Sequence, residues 1–222
     1  LFVLDLFHRG ESRRIRKGSL VLMLILAIIV IPFLCLDFSG FMHSYSYHTE
    51  RGLQIESSYA SVLLLGDDLG LTTVDQAFNH AAWHLEGSPA DTIADFSLLI
   101  AVVILAAIYY LYHRADRSIE STGEPGDHSR LIDYSQMALA GFLLTSKIFS
   151  PQFIIWLYPL VPLISGPWRF VSWAVFFLAS GLTYYIYPDH YGELLMRQPK
   201  LVYMLVARNS LILLFRLSLV QL

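Results

Sequence analysis

Four side chains in this sequence could together hold an anion: Arg51, Lys147, Ser150 and Arg208. Ser150 is a good N-cap, and the proline after it suits the first position of a new helix. We therefore expect a helix break beside Lys147, with free backbone N–H groups and a positive dipole end. Such a place suits a phosphate. The alternative is that Lys147 only extends along the end of its helix to the membrane interface.

Arg208 lies about seven residues inside the last apolar segment, or about 10 Å from the segment's outer end. An arginine in the middle of a membrane-spanning helix costs on the order of 2.5–3.5 kcal/mol, so it usually faces a cavity or a partner. Reaching outward to the interface is the alternative. Arg51 and Glu56 are predicted to pair with each other or to share a polar ligand, and an exposed structural ion pair is the simpler interpretation.

The composition predicts a membrane protein. The chain has 222 residues, of which 55% are hydrophobic and only 15% are charged, and its mean hydropathy is +0.54. Soluble domains carry about 25% charged residues. The fold class predicted is an all-α polytopic membrane protein, forming a single membrane domain over residues 1–222. We also expect it to be the C-terminal part of a longer protein, with Leu1–Phe7 as the tail of an earlier span.

About six membrane-spanning helices are predicted. Their expected ranges are Leu20–Leu36, Ile93–Tyr112, Leu131–Phe149, Pro151–Ser165, Phe170–Tyr187 and Leu201–Leu222. The segment Pro151–Ser165 is short and contains two further prolines, so a kinked or re-entrant form is expected there. Basic residues cluster before the first span and in the linker 113–130, which places both in the cytoplasm. The loop 37–92, the loop 188–200 and the Lys147–Ser150 junction are then extracytoplasmic.

The loop 37–92 is long enough to need structure of its own. Gln54–Leu65 is predicted as a short interfacial amphipathic helix that Gly66 ends. His80 and His84 would share one face of a helix, which would suit a metal ion. The alternation around Trp83 instead favours a small hairpin with Asn79-His80 as its turn, and the sequence therefore predicts no metal site. Asp67-Asp68 is interpreted as a solvated turn.

Two segments resemble those of a known family: residues 48–60 (HTERGLQIESSYA) and residues 147–157 (KIFSPQFIIWL). They are similar to integral-membrane glycosyltransferases of the GT-C type, in the polyprenyl-phosphate-dependent mannosyltransferase-like group. The pair Arg208-Asn209 fits the C-terminal end of the same group. The resemblance covers about Tyr47 to Leu222.

The resemblance implies transfer of a sugar, a hexose such as mannose, from a polyprenyl-phosphate donor to a glycan or lipid acceptor outside the plasma membrane. It implies that Lys147, Arg51, Ser150 and Arg208 bind the donor phosphate. It also implies that Gln54, Glu56, Gln152 and His48 orient the substrate. The catalytic carboxylate of such enzymes lies in the first outer loop, which would precede Leu1. Some members need a divalent ion, and no residues here show clear metal-ligand spacing. No nucleic-acid partner is expected.

Two other functions remain open from the sequence. A transporter or flippase of a lipid-linked substrate would also use broken helices and intramembrane cations. It predicts related interruptions in two halves of the chain, whereas the sequence shows one interruption, at Ser150-Pro151. A non-catalytic subunit of an envelope-assembly complex predicts instead that Lys147 and Arg208 tolerate neutral replacement.

Overall fold

The computed structural model describes residues 1–120 and 128–217. Three helices in this part are long and apolar enough to cross a membrane: Ser12–Leu36, Ser88–Ala115 and Arg169–Asp189. Their mean hydropathies are 3.1, 2.3 and 1.4. The chain is thus mainly helical with apolar helices of membrane-spanning length, as the composition predicts.

The elements follow one another along the chain in a fixed order. They are α1 (Phe2–His8), α2 (Ser12–Leu36), α3 (Phe38–Thr49), β1 (Leu53–Gln54), α4 (Ser58–Asp68), β2 (Asp75–Asn79), β3 (Ala82–Glu86), α5 (Ser88–Glu120), α6 (His128–Thr145), two 3-10 helices (Pro151–Trp156 and Val161–Leu163), α7 (Arg169–Tyr184), a π-helical turn (Tyr185–Asp189), α8 (Tyr191–Leu195) and α9 (Pro199–Leu217). The predicted linker 113–130 is helical up to Glu120 and again from His128. Residues 121–127 of that linker lie outside the described part of the chain.

The segment predicted as the fourth span is not an α-helix. Pro151–Ser165 forms two short 3-10 helices, because its prolines cannot donate the i→i−4 hydrogen bonds of an α-helix. It begins beside β1, and by Val161 its backbone carbonyl accepts a hydrogen bond from Trp173 in the first turns of α7 (2.9 Å). The segment therefore runs along the bundle as short 3-10 helices joined by turns, and it packs against the neighbouring helices.

The three segments expected on the outer face lie together at one end of the bundle. The loop 37–92, the Lys147–Ser150 junction and the stretch around Tyr191 line a common cavity there. The basic segments gather elsewhere, where the Arg130 guanidinium donates to the Ala115 carbonyl (2.9 Å) and Tyr112 donates to Asp5 (3.1 Å). The loops that are poor in basic residues and the segments that are rich in them therefore lie in different parts of the bundle.

A small antiparallel sheet of order β1-β3-β2 covers that end. The predicted hairpin is confirmed, although its turn is His80-Ala81 rather than Asn79-His80. Both turn residues have positive φ (47° and 56°), as a two-residue type I′ turn requires.

The predicted start of the interfacial helix at Gln54 is wrong, since α4 begins at Ser58. Ser57 is its N-cap and accepts a hydrogen bond from the Ala60 N–H (3.1 Å). Gln54 belongs to β1, and the N–H groups of Gln54 and Ile55 donate to the carbonyls of Lys147 and Trp83. Gly66 lies within α4, which continues to Asp68.

Two hydrophobic clusters form the interior. One lies under the sheet and α4 and includes Leu53, Leu64 and Leu205. The other lies among α6, α7, α9 and the 3-10 segment and includes Leu143 and Phe176. The junction between α6 and the 3-10 segment lies where the helices meet the sheet, and it carries the candidate site.

Candidate functional site at the junction of two distant segments

The two segments that carry the resemblance are joined by hydrogen bonds. The Gln54 N–H donates to the Lys147 carbonyl (2.9 Å), and the Gln54 side-chain amide donates to the Ser150 hydroxyl (3.0 Å). The Lys147 ammonium donates in turn to the Thr49 carbonyl (2.8 Å). Residues about a hundred positions apart in the chain are therefore held in a fixed relation.

The helix start predicted at Ser150 is not built as expected. Helix α6 ends at Thr145 rather than near Phe149, and the element after Ser150 is a 3-10 helix of six residues. The Ser150 hydroxyl makes no capping hydrogen bond there and instead accepts from Gln54. A short 3-10 helix has no aligned macrodipole of the size that favours an anion. Phosphate binding at this junction therefore depends on the side chains.

A cavity of about 550 Å³ opens at this junction, and we call it the junction cavity. Five of the predicted site residues line it: Arg51, Gln54, Glu56, Ser150 and Gln152. Its remaining walls come from the hairpin, the 3-10 segment and the stretch before α8, and they are largely aromatic. The lining residues not predicted from sequence are Tyr47, Phe78, His80, Ala81, Ala82, Trp83, Ile148, Pro151, Phe153, Tyr187 and Tyr191.

The strand β1 holds the cavity floor close to the hairpin. Gly52 permits this approach, because a Cβ at that position would lie 3.3 Å from the Cβ of His84. The His84 side chain is fully buried on β3, and burial, assisted by the nearby Arg51 charge, lowers its pKa. His84 is therefore a neutral packing residue under the cavity and not a cation in it.

Glu56 is the most unusual group in the junction cavity. It is only 2% exposed, and its Oε2 has no hydrogen-bond partner among the described residues. Burial raises the pKa of Glu56 to about 7, although the charge of Arg208 and hydrogen bonding from Gln54 and Tyr191 act to lower it. The Nε of Arg51 and the Oε1 of Gln54 are also buried without partners in the described structure. A buried polar atom without a partner is rare in proteins, and a bound water or ion is one way in which its hydrogen bonding is completed.

Arg208 does not line this cavity, so its predicted direct contact with a phosphate is not seen. The side chain is 1% exposed and lies beneath the cavity floor. It donates to the Glu56 carbonyl (2.9 Å), and its guanidinium stacks 4.6 Å from the centre of the Phe149 ring. Next to it, Asn209 donates to the Ser61 hydroxyl (3.1 Å). Arg208 therefore fixes the backbone at Glu56 and supplies a positive charge behind its carboxyl group.

A second depression, of about 400 Å³, lies on the other side of the segment 146–150, and we call it the lateral groove. Lys147, His48 and the carboxylate of Asp95 line its polar end. Apolar side chains of α5 and α6, such as Leu98 and Phe142, form its walls. Leu98 is 74% exposed, so this wall is open to the surroundings of the helices. The predicted phosphate ligands Lys147 and Arg51 thus lie in different depressions.

The two depressions share Ile148 and are separated only by the junction segment. The charges of Lys147 and Arg51 influence each other across it. Burial lowers the pKa of Lys147, which lies beyond the end of α6; Asp95 opposes this shift and Arg51 adds to it. Arg51 and Glu56 form no ion pair in the described structure, although both line the junction cavity. An anion at the boundary would relieve the repulsion between the two cations.

The other acidic residues considered from the sequence have structural partners. Asp67 pairs with Arg197 (2.9 Å) and Asp68 accepts from the Tyr203 hydroxyl (2.9 Å), so the doublet ties the end of α4 to α9 and to the loop before it. Within residues 1–120 and 128–217 no three His, Cys, Asp or Glu side chains are grouped in a way that could hold a metal ion.

Sequence reasoning missed the aromatic residues of the junction cavity, above all Trp83, Tyr187 and Tyr191. They stand on separate elements with no shared spacing, so only the folded chain brings them together. Comparisons of this chain with protein-family models, with curated proteins and with solved structures give no match in any of the three.

Proposed function

We propose that this protein is an integral-membrane glycosyltransferase that uses a polyprenyl-phosphate sugar as its donor. The active face would be extracytoplasmic, and a glycan or lipid would be the acceptor. The basic-residue distribution supports this orientation, because the candidate site lies at the end of the bundle away from the basic loops.

The observation that carries the proposal is the contrast between the two depressions that meet at residues 146–150. The junction cavity offers polar groups without partners and aromatic walls, whereas the lateral groove has apolar helical walls and, at its end, Lys147 with Asp95 nearby. A polyprenyl-phosphate sugar has three parts that match these features: a polar ring, an ionic group and a long apolar chain. In this proposal the ring lies in the cavity, the chain lies in the groove and the phosphate lies between them.

The chemical roles follow from that placement. In the transfer, the bond between the sugar C1 and the phosphate oxygen breaks while the acceptor hydroxyl oxygen bonds to C1. The electron pair leaves on the phosphate, whose growing charge Arg51 and Lys147 stabilise. The acceptor proton goes to a carboxylate, which the resemblance implies in the first outer loop of such enzymes. Glu56, Gln54 and Gln152 bind hydroxyl groups of the sugar ring.

The test uses the full-length protein in liposomes with a labelled polyprenyl-phosphate mannose. We expect Arg51→Ala and Lys147→Ala each to reduce transfer by about a hundredfold, the effect of losing one charge-stabilising group of a transition state. Lys17→Ala and Arg16→Ala are matched controls, because these exposed cations of α2 line neither depression. They are expected to leave transfer unchanged.

Each outcome separates the alternatives. If transfer survives the loss of both Arg51 and Lys147, these residues only anchor the chain at the membrane interface and do not bind the donor phosphate. Sugar that crosses the membrane without transfer would favour a transporter. A wild-type protein that neither transfers nor transports with mannose, glucose or arabinose donors would favour the non-catalytic subunit.

A further inference from the structure

The junction cavity has an aromatic rim in addition to its polar floor. We define the aromatic rim as Tyr47, Phe78, Trp83 and Tyr187, which come from α3, from β2 and β3, and from the stretch before α8. Phe78 is 61% exposed and Tyr187 is 45% exposed. Exposed apolar rings that lie together in one patch mark an interaction site more often than rings exposed singly.

The rim is rigid rather than a loose collection of rings. Phe78 and Trp83 are cross-strand partners in the hairpin, and their ring centres are 5.4 Å apart. The ring of Tyr47 packs edge-on against His80 at 4.9 Å, at the turn of the same hairpin. Ring positions fixed by strand pairing and ring contacts lose little conformational entropy when a ligand binds.

The chemistry of rim and floor fits a carbohydrate. The faces of sugar rings carry C–H groups that pack on the negative face of an aromatic ring. Their hydroxyl groups need hydrogen-bond partners at the edges, and the floor offers Arg51 Nε, Gln54 Oε1 and Glu56 Oε2 without partners of their own. Glu56 and Gln54 both line the junction cavity, although their side chains are only 2% and 4% exposed. A lipid chain would leave them without partners.

The volume of the junction cavity exceeds what one sugar ring fills, since about 550 Å³ is in the range of pockets for larger ligands. We propose that the aromatic rim binds a second carbohydrate ring, so that the acceptor of this protein is itself a glycan. This inference extends the proposed function, in which the floor holds the donor sugar. It assigns the rim to the acceptor and excludes a lipid or a peptide as the group that lies there.

The test measures binding of free disaccharides to the full chain in lipid nanodiscs, without any lipid phosphate. Mannobiose, maltose and an arabinose disaccharide serve as probes in saturation-transfer NMR titrations, with sorbitol as a control polyol. At least one disaccharide is expected to bind with a millimolar Kd. Phe78→Ala is expected to weaken it about fivefold, which is about 1 kcal/mol. Phe170→Ala is the matched control, because both rings are 61% exposed and Phe170 lines neither depression.

Trp83→Ala, a second variant, is expected to weaken disaccharide binding as Phe78→Ala does. The protein has four tryptophans, so the quenching of Trp83 by brominated lipids is taken as the difference in quenching between wild type and Trp83→Ala, and it reports whether the rim lies in the bilayer. The proposal is overturned if no disaccharide binds, if the Phe78 and Phe170 variants behave alike, or if lipid quenches Trp83 strongly. Failure of the transferase proposal gives a different result, since sugar transfer would be absent while disaccharide binding persists. Transfer to a lipid acceptor without disaccharide binding would overturn this inference alone.

Discussion

Replacing Glu56 with glutamine should change how the stability of this protein depends on pH. Glu56 is 2% exposed, and burial raises its pKa from 4.5 to about 7. Each pKa unit corresponds to about 1.4 kcal/mol, so ionising Glu56 in the folded protein costs about 3 kcal/mol more than in the unfolded chain. Glutamine keeps the shape and removes that ionisation.

The direction of the effect follows from the proton balance. Between about pH 4.5 and pH 7 the folded protein holds a proton on Glu56 that the unfolded chain has released. The contribution of Glu56 to stability is therefore favourable at low pH, falls as pH rises through that interval, and stays constant above it. Wild type and Glu56→Gln should be about equally stable near pH 4.5. Near pH 8 the variant should be more stable by about 3 kcal/mol.

The assay is thermal unfolding in detergent, followed by tryptophan fluorescence from pH 4.5 to pH 8.5. For a chain of this length about 3 kcal/mol corresponds to roughly 6–12 °C in Tm at the alkaline end. Glu50→Gln, at an exposed position just before β1, controls for the loss of one negative charge. Parallel Tm curves for wild type and Glu56→Gln across this range would show that burial does not raise the pKa of Glu56.

Two further predictions concern the residues that support the site. Ser57→Ala should lower the free energy of unfolding by about 1 kcal/mol, because it removes the N-cap of α4. Ser58→Ala is the control and should have little effect, because the buried Ser58 hydroxyl has no partner in the described structure. Chemical denaturation of the two variants checks this, and equal losses would contradict the capping role. Arg208→Met should destabilise the protein by about 3–5 kcal/mol at pH 8 and by less at pH 5, where Glu56 is neutral. A loss of Tm independent of pH would show that Arg208 acts by packing alone.

The positions of the two resembling segments were predicted better than their local structure. Arg51, Gln54, Glu56, Ser150 and Gln152, which only the family resemblance grouped into one site, line one cavity. The hairpin was also predictable, since alternation over a few residues and a two-residue turn are local signals.

The parts that sequence reasoning missed depend on contacts between distant residues. Gln54 was expected in a helix, and its spacing permits one, yet its N–H is taken by the Lys147 carbonyl. Arg208 was expected at the phosphate because it is a cation in an apolar helix. Only the fold shows that its guanidinium lies against Phe149 and under Glu56. Local propensity cannot report such contacts, since tertiary packing overrides it.

The most direct test of the central claim is to locate the lipid chain. A polyprenyl phosphate with a photoreactive diazirine near its phosphate is bound to the protein in nanodiscs, irradiated, and the labelled residues are identified by mass spectrometry. We expect labelling of Leu98 and Phe142 in the lateral groove. This labelling should be lost on competition with unlabelled polyprenyl phosphate and in Lys147→Ala. Equal labelling of Leu22 on the fully exposed α2, with no effect of competitor, would contradict a lipid-phosphate site at this junction.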